Sequence, residues 1–182
     1  MSEHRKMVLD ELVSSGTIFQ LIPLQLRVQL IRVSSIMKLY TIGFTQKKAE
    51  EFFSLLKNNQ IERLVDIRLK PSGQLSGFSK QEDLPYFLRE LSNGCQYTHL
   101  PILAPTKEIL EDYREDHDWL RYVERFERLM DERHIPFSLG GAMFESERCC
   151  LLCSEALPEK CHRRLVVERL ASFWKDVEIV HL

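Results

Sequence analysis

The chain has 182 residues, 25 Lys and Arg against 27 Asp and Glu, a formal net charge of −2 and 44% apolar residues. That length suits one domain with a core of its own, and the near-neutral charge argues against a surface that coats nucleic acid by charge alone. Five cysteines, an odd number, with four crowded between Cys149 and Cys161, read as reduced thiols of a cytoplasmic protein and not as a disulfide framework.

The segment from Leu21 to Val33 is apolar but interrupted by Pro23, Gln25, Arg27, Gln29 and Arg32. It is too short and too polar to span a bilayer, and no small-residue cleavage site follows it. An amphipathic partner-binding segment is one reading. The reading taken here is that residues 1–36 are an N-terminal extension outside the native domain, which then runs from Met37 to Leu182.

From Met37 strand-like and helix-like runs alternate. Leu39 to Gly43 predicts a short strand. Ala49, Phe52, Phe53 and Leu56 recur at the spacing of one helix face, and Asn58-Asn59 ends that helix. Leu64 to Leu69 predicts a strand with Leu64, Asp66 and Arg68 on one face and Val65, Ile67 and Leu69 on the other. Pro71-Ser72-Gly73 and Ser76-Gly77 mark a loop. Leu84 to Leu91 predicts a helix with Pro85 in its first turn. Gln96 to Leu100 is a strand stopped by Pro101. Helices follow over Lys107 to Tyr113 and Trp119 to Met130, and the charged run Glu111 to Asp118 reads as a solvated face. Cys149 to Cys153 is a strand, and Cys161 to Trp174 a helix burying Leu165, Val166, Leu170, Phe173 and Trp174. Val177 to Val180 is the last strand. Strands separated by helices predict an α/β fold: a single domain, mostly parallel sheet with helices on both faces.

In such sheets ligands bind beyond the carboxyl ends of the strands. Asp66 with Arg68, His99, and Cys153 with Glu155 fall at such ends. The helix opening on Cys161-His162-Arg163-Arg164 offers free N–H groups and a dipole that favour an anion. Each residue also has a plainer role. Asp66 and Arg68 pair with each other unless the strand end is open. His99 between Tyr97 and Pro101 fits a satisfied structural histidine. Cys149 and Cys150 fit core packing. Cys153, where the strand gives way to polar sequence, and Cys161, at a helix start that lowers a thiol pKa, are each balanced between packing and function. The Cys150–Cys153 spacing invites a redox or metal reading, but period two sends those thiols to opposite faces. Zinc on Cys153, Cys161 and His162 is disfavoured, because adjacent residues of a helix point about 100 degrees apart. No metal or cofactor is expected.

The ordered pieces Tyr40-Thr41-Ile42-Gly43-Phe44, Leu64-Val65-Asp66-Ile67-Arg68 with Pro71-Ser72, Gly77-Phe78, Tyr97-Thr98-His99-Leu100-Pro101, and Leu152-Cys153-Ser154-Glu155 with Pro158 and Cys161-His162-Arg163 resemble the domain of unknown function family 488. The resemblance covers Met37 to Leu182. It implies a compact α/β domain, found mostly in prokaryotes, whose reaction is unassigned and whose marks are the Cys-x-Glu and Cys-His-Arg elements. Two departures stand out. Leu103-Ala104-Pro105-Thr106 replaces a Gly-Gly-Arg turn common in relatives, and Phe44 replaces a frequent histidine.

Two functions follow. The first is an enzyme acting on an anionic or nucleotide-like substrate. Cys153 or Cys161 would be its nucleophile, Glu155 or Asp66 its acid/base, and Arg68, His99, His162 and Arg163 would hold the substrate. The alternative is a non-catalytic module binding nucleotide or nucleic acid through the same basic groups, with nucleic acid disfavoured by net charge. The spacing from Cys153 to Arg163 exceeds the Cys-to-Arg loop of phosphatases and rhodaneses, so their mechanism does not transfer.

Overall fold

A computed structural model of the chain describes residues 37–139, 142–174 and 176–182, without the side chains of residues 74–76. The expected N-terminal extension, residues 1–36, lies outside the described residues. Met37–Leu182 forms one compact unit. It is an α/β domain around a five-stranded, all-parallel sheet.

The elements in chain order are β1 (Met37–Gly43), α1 (Ala49–Asn58), β2 (Arg63–Asp66), α2 (Leu84–Leu91), β3 (Gln96–His99), α3 (Lys107–Asp116), α4 (Trp119–Glu132), the short α5 (Ala142–Ser146), β4 (Cys149–Cys153), α6 (His162–Phe173) and β5 (Val177–His181). The strand order is β3-β2-β4-β1-β5. Thr106 and Asp118 cap α3 and α4 by accepting the amides of Ile109 and Arg121, which fixes where each helix starts.

Alternation along the strands divides the core. Phe52, Phe53 and Leu56 of α1 and Leu84 and Leu88 of α2 cover Tyr40, Ile42, Leu64, Cys150 and Leu152 on one face. Tyr122, Phe126 and Met130 of α4 and Leu165, Val166 and Leu170 of α6 cover Leu39, Val65, Cys149 and Leu151 on the other. Cys150 and Cys149 therefore pack in opposite cores, as period two requires. With helices on both faces, the inner strand β4 is apolar throughout and all five of its residues are buried.

Three local expectations change. The second strand ends at Asp66, not Leu69, because Arg68 turns back onto Asp66. Phe173 is 46% exposed and meets the exposed Phe137 edge-on. The short α5 has no counterpart in the sequence reading.

The topology also places a crevice. β1 and β4 are neighbours, with Gly43 beside Cys153. The chain leaves β1 for α1 on one face and β4 for α6 on the other. Such a switch point opens a gap at the strand ends.

Candidate functional site

The site is built from the end of β4, the loop after it and the start of α6. Cys153 is the last residue of β4, and the loop returns to Cys161. Cys161 is the residue before the helix, with extended φ −129° and ψ 137°. It is therefore not one helical step from His162, and the argument that their side chains diverge does not hold. Instead Cys153, Cys161 and His162 converge, their ligand-type atoms all within 4.8 Å of one another and all three side chains buried.

Cys153 Sγ lies 3.4 Å from His162 Nδ1, and His162 Nε2 lies 3.0 Å from the Ile67 carbonyl oxygen. A carbonyl only accepts, so Nε2 carries a proton and Nδ1 is the nitrogen that faces the thiol. Phe126 meets the imidazole edge-on at 5.9 Å and helps hold the ring. The Cys153 thiol is pulled below its ordinary pKa, chiefly by the hydrogen bond from Cys161. The amides of Glu155 and Ser154 and the Arg163 guanidinium add to this, against the cost of burial. Cys161 is pushed up by that same hydrogen bond and by burial. Of the pair, Cys153 is the thiol that gives up its proton more readily.

Arg163 is fully buried. Its Nη1 donates to the Glu155 carbonyl and lies 3.6 Å from Cys161 Sγ, and its Nη2 donates to the Ala156 carbonyl at 3.0 Å. The guanidinium thus pins the loop after Cys153 from beneath. Gly43 makes room for it: a Cβ there would stand 1.8 Å from the Glu155 carbonyl oxygen and 2.8 Å from Arg163 Nη1. Thr45 completes the seam, its amide and hydroxyl both donating to the Ser154 carbonyl.

Asp66 and Arg68 are a buried pair. Arg68 Nε and Nη2 reach the Asp66 carboxylate at 2.8 and 2.5 Å, Tyr97 donates to it at 2.8 Å, and the Arg68 guanidinium also binds Ser79 and lies over the Phe44 ring. The carboxylate is committed within the fold. His99 Nε2 donates to the Arg68 carbonyl at 2.8 Å, which fits a satisfied structural histidine.

Over the cluster lies a cavity of about 510 Å³, lined by Cys153, Ser154, Glu155, Cys161 and His162 on one side and by Arg68, Leu69 and Lys70 on another. α3 closes it with Lys107, Leu110, Glu111, Tyr113 and Arg114, joined by Lys160, His117 and Tyr122. Of the residues singled out from sequence, Cys153, Glu155, Cys161, His162 and Arg68 meet at this cavity. Asp66, His99 and Arg163 support its floor and do not line it. Sequence reading missed the α3 wall: the charged run Glu111 to Asp118 is in part a cavity face. Its signal was Leu110 and Tyr113 beside Lys107 and Arg114, apolar and basic side chains sharing one face. Lys70, Lys107, Arg114 and Lys160 stand around it with Glu111 and Glu155, and Lys107 pairs with Glu111.

A doubly wound α/β domain with a buried Cys-Cys-His cluster at its switch point, facing a cavity, is the class that fold and site define together. The chain belongs to the family described as Domain of unknown function DUF488, whose family model matches residues 48–170, a span holding all three cluster residues. No curated protein and no solved structure matches the chain.

Proposed function

We propose that the protein is an enzyme acting on an anionic, nucleotide-like small molecule bound in the cavity over Cys153. The observation that carries the proposal is the contact between Cys153 Sγ and His162 Nδ1, with the far side of the ring held by the Ile67 carbonyl. This is the geometry of an activated thiol: a nucleophile, a base in reach, and a third group orienting the base. In the first step the Cys153 proton passes to His162 and sulfur bonds to the electrophilic centre. The leaving group departs with that proton, handed on by His162. In the second step Glu155 at the cavity mouth takes a proton from water, whose oxygen bonds to the same centre; the bond to sulfur breaks, the product leaves, and the proton on Glu155 returns to the Cys153 thiolate. Cys161 and the Ser154 and Glu155 amides steady the sulfur. Arg68, Asp66, His99 and Arg163 act as positioning residues. A reactive thiol of this kind fits a reducing compartment such as the cytoplasm.

A purely binding module would need the basic rim but no thiol aligned with an imidazole, and this alignment favours the enzyme. Alkylation of the metal-free protein at neutral pH tests the proposal, with sites mapped by mass spectrometry. Cys153 should react with iodoacetamide about tenfold faster than a model thiol. The anionic reagent iodoacetate should gain on iodoacetamide relative to free cysteine, and lose that gain in high salt and in the double variant Lys107→Glu, Lys160→Glu. A Cys153 no faster than a model thiol would remove the nucleophile, and an unchanged reagent preference would remove the anionic substrate.

A further inference from the structure

We infer that Cys153, Cys161 and His162 together bind a thiophilic divalent metal ion of the zinc class, with its fourth position open to the cavity. Three soft donors, two sulfurs and one imidazole nitrogen, lie within 4.8 Å of one another and are buried. Tetrahedral zinc has bonds of about 2.3 Å to sulfur and about 2.0 Å to nitrogen, which sets sulfur–nitrogen edges of about 3.5 Å. The Cys153–His162 edge is already 3.4 Å. The histidine presents Nδ1 to the sulfurs and donates from Nε2 to the Ile67 carbonyl. That second hydrogen bond fixes the tautomer a metal-binding imidazole needs.

Charge makes the same case. Two thiolates so close and so buried are not tolerated alone, whereas two thiolates with a divalent ion are neutral. Arg163, 3.6 Å from Cys161 Sγ, leaves the loaded site with net positive charge, so the fourth position favours water or an anion. Soft sulfur with imidazole in a tetrahedral set selects zinc-like ions over magnesium or calcium.

The consequence rests on the thiol reading above: a Cys153 sulfur bound to metal is not free to attack, so metal loading masks the nucleophile. Metal binding itself does not depend on that reading. The test uses the full chain, stripped of metal under reducing conditions. Cobalt(II) should bind one per chain, with the visible bands of a tetrahedral site and sulfur-to-cobalt charge transfer. Zinc should displace it in a chelator competition. Cys161→Ser and His162→Gln, with folding checked by circular dichroism, should each weaken binding about 100-fold or more. At zinc ten times its Kd, alkylation of Cys153 should slow about tenfold. No tetrahedral cobalt spectrum in the unmodified chain, or the same affinity in both variants, overturns the inference. Tight metal binding with an unreactive metal-free Cys153 would sustain the metal site and sink the thiol enzyme. A reactive Cys153 indifferent to zinc would do the reverse.

Discussion

Gly43→Ala offers a sharp test of how the site is held. Gly43 ends β1 beside Cys153, and the added methyl would stand 1.8 Å from the main-chain oxygen of Glu155. Real Cβ atoms do not approach below 3.0 Å, so the carbonyl must retreat by on the order of 1 Å. It cannot do so freely, because Arg163 Nη1 donates to it and Nη2 holds the next carbonyl. Overpacking of this kind costs about 1–3 kcal/mol. Loosening a buried hydrogen bond from a charged donor adds about 1.5–3 kcal/mol. A total near 4 kcal/mol lowers Tm by about 10 °C in a chain of this size. The loop carries the Ser154 and Glu155 amides that steady Cys153, so alkylation of Cys153 should slow as well. Thermal unfolding followed by circular dichroism gives the first quantity, and mass-mapped iodoacetamide kinetics the second. A variant that melts within about 2 °C of the parent and alkylates at the parent rate would refute the account of Gly43 as the gap that admits the Arg163-pinned loop.

Two further outcomes follow from buried groups. Asp66→Ala strands the 4%-exposed Arg68 without its carboxylate, which should cost about 3–5 kcal/mol and be seen as a large fall in the urea midpoint. A loss below about 1 kcal/mol would mean the pair is not as dry as it looks. Burial pushes the Cys95 and Cys149 thiols up to about 12 and Cys150 well above its ordinary value. The folded chain then keeps protons that the unfolded chain releases from about pH 8.5. Their stabilising contribution is complete below that pH and declines as pH rises toward the folded values, by up to about 4 kcal/mol per pH unit for three thiols. Urea midpoints across pH 8 to 10 check the sign, and Cys95→Ala should remove about a quarter of the slope, Cys161 being a fourth raised thiol. A stability that rises over that range would contradict it.

How much could be read beforehand depended on whether the signal was local. Ala49, Phe52, Phe53 and Leu56 declare α1 by spacing alone, and Leu84–Leu91 and Cys149–Cys153 were legible to the residue because Pro85 and the unbroken apolar run mark them. The placement of charge was harder. From sequence Asp66 and Arg68 fit either a ligand site or a mutual pair, and their burial as a pair appears only once Tyr97, Ser79 and Phe44 close around them. Cys161 and His162 looked divergent because both were placed in one helix. A single extended residue before the helix reverses that conclusion. The cavity wall from α3 was invisible for another reason. Leu110 and Tyr113 beside Lys107 and Arg114 mark a mixed face, but nothing local tells that it will lie over strand ends whose residues are some 40 positions away in both directions.

Arg163 shows why the Cys-His-Arg run should be regarded as one device. Among the described residues it makes no ion pair; its partners are two carbonyl oxygens and a sulfur. A fully buried guanidinium compensated only by dipoles is costly. Cys161 Sγ lies 3.6 Å away, and the guanidinium charge favours an anion on Cys153. Lysine could not replace it, because one planar fork spans two successive carbonyls and a thiol, which a point ammonium cannot do. The arginine therefore holds the loop by geometry and favours anionic sulfur by charge, and in the two proposals above the adjacent histidine takes up the proton or, with both cysteines, the metal. Three neighbouring residues are needed in one place because each supplies what the other two require. The charge of Arg163 favours ionisation of Cys153, Arg163 fixes the loop bearing the amides at Cys153, and His162 faces that sulfur only while the Ile67 carbonyl holds its other nitrogen.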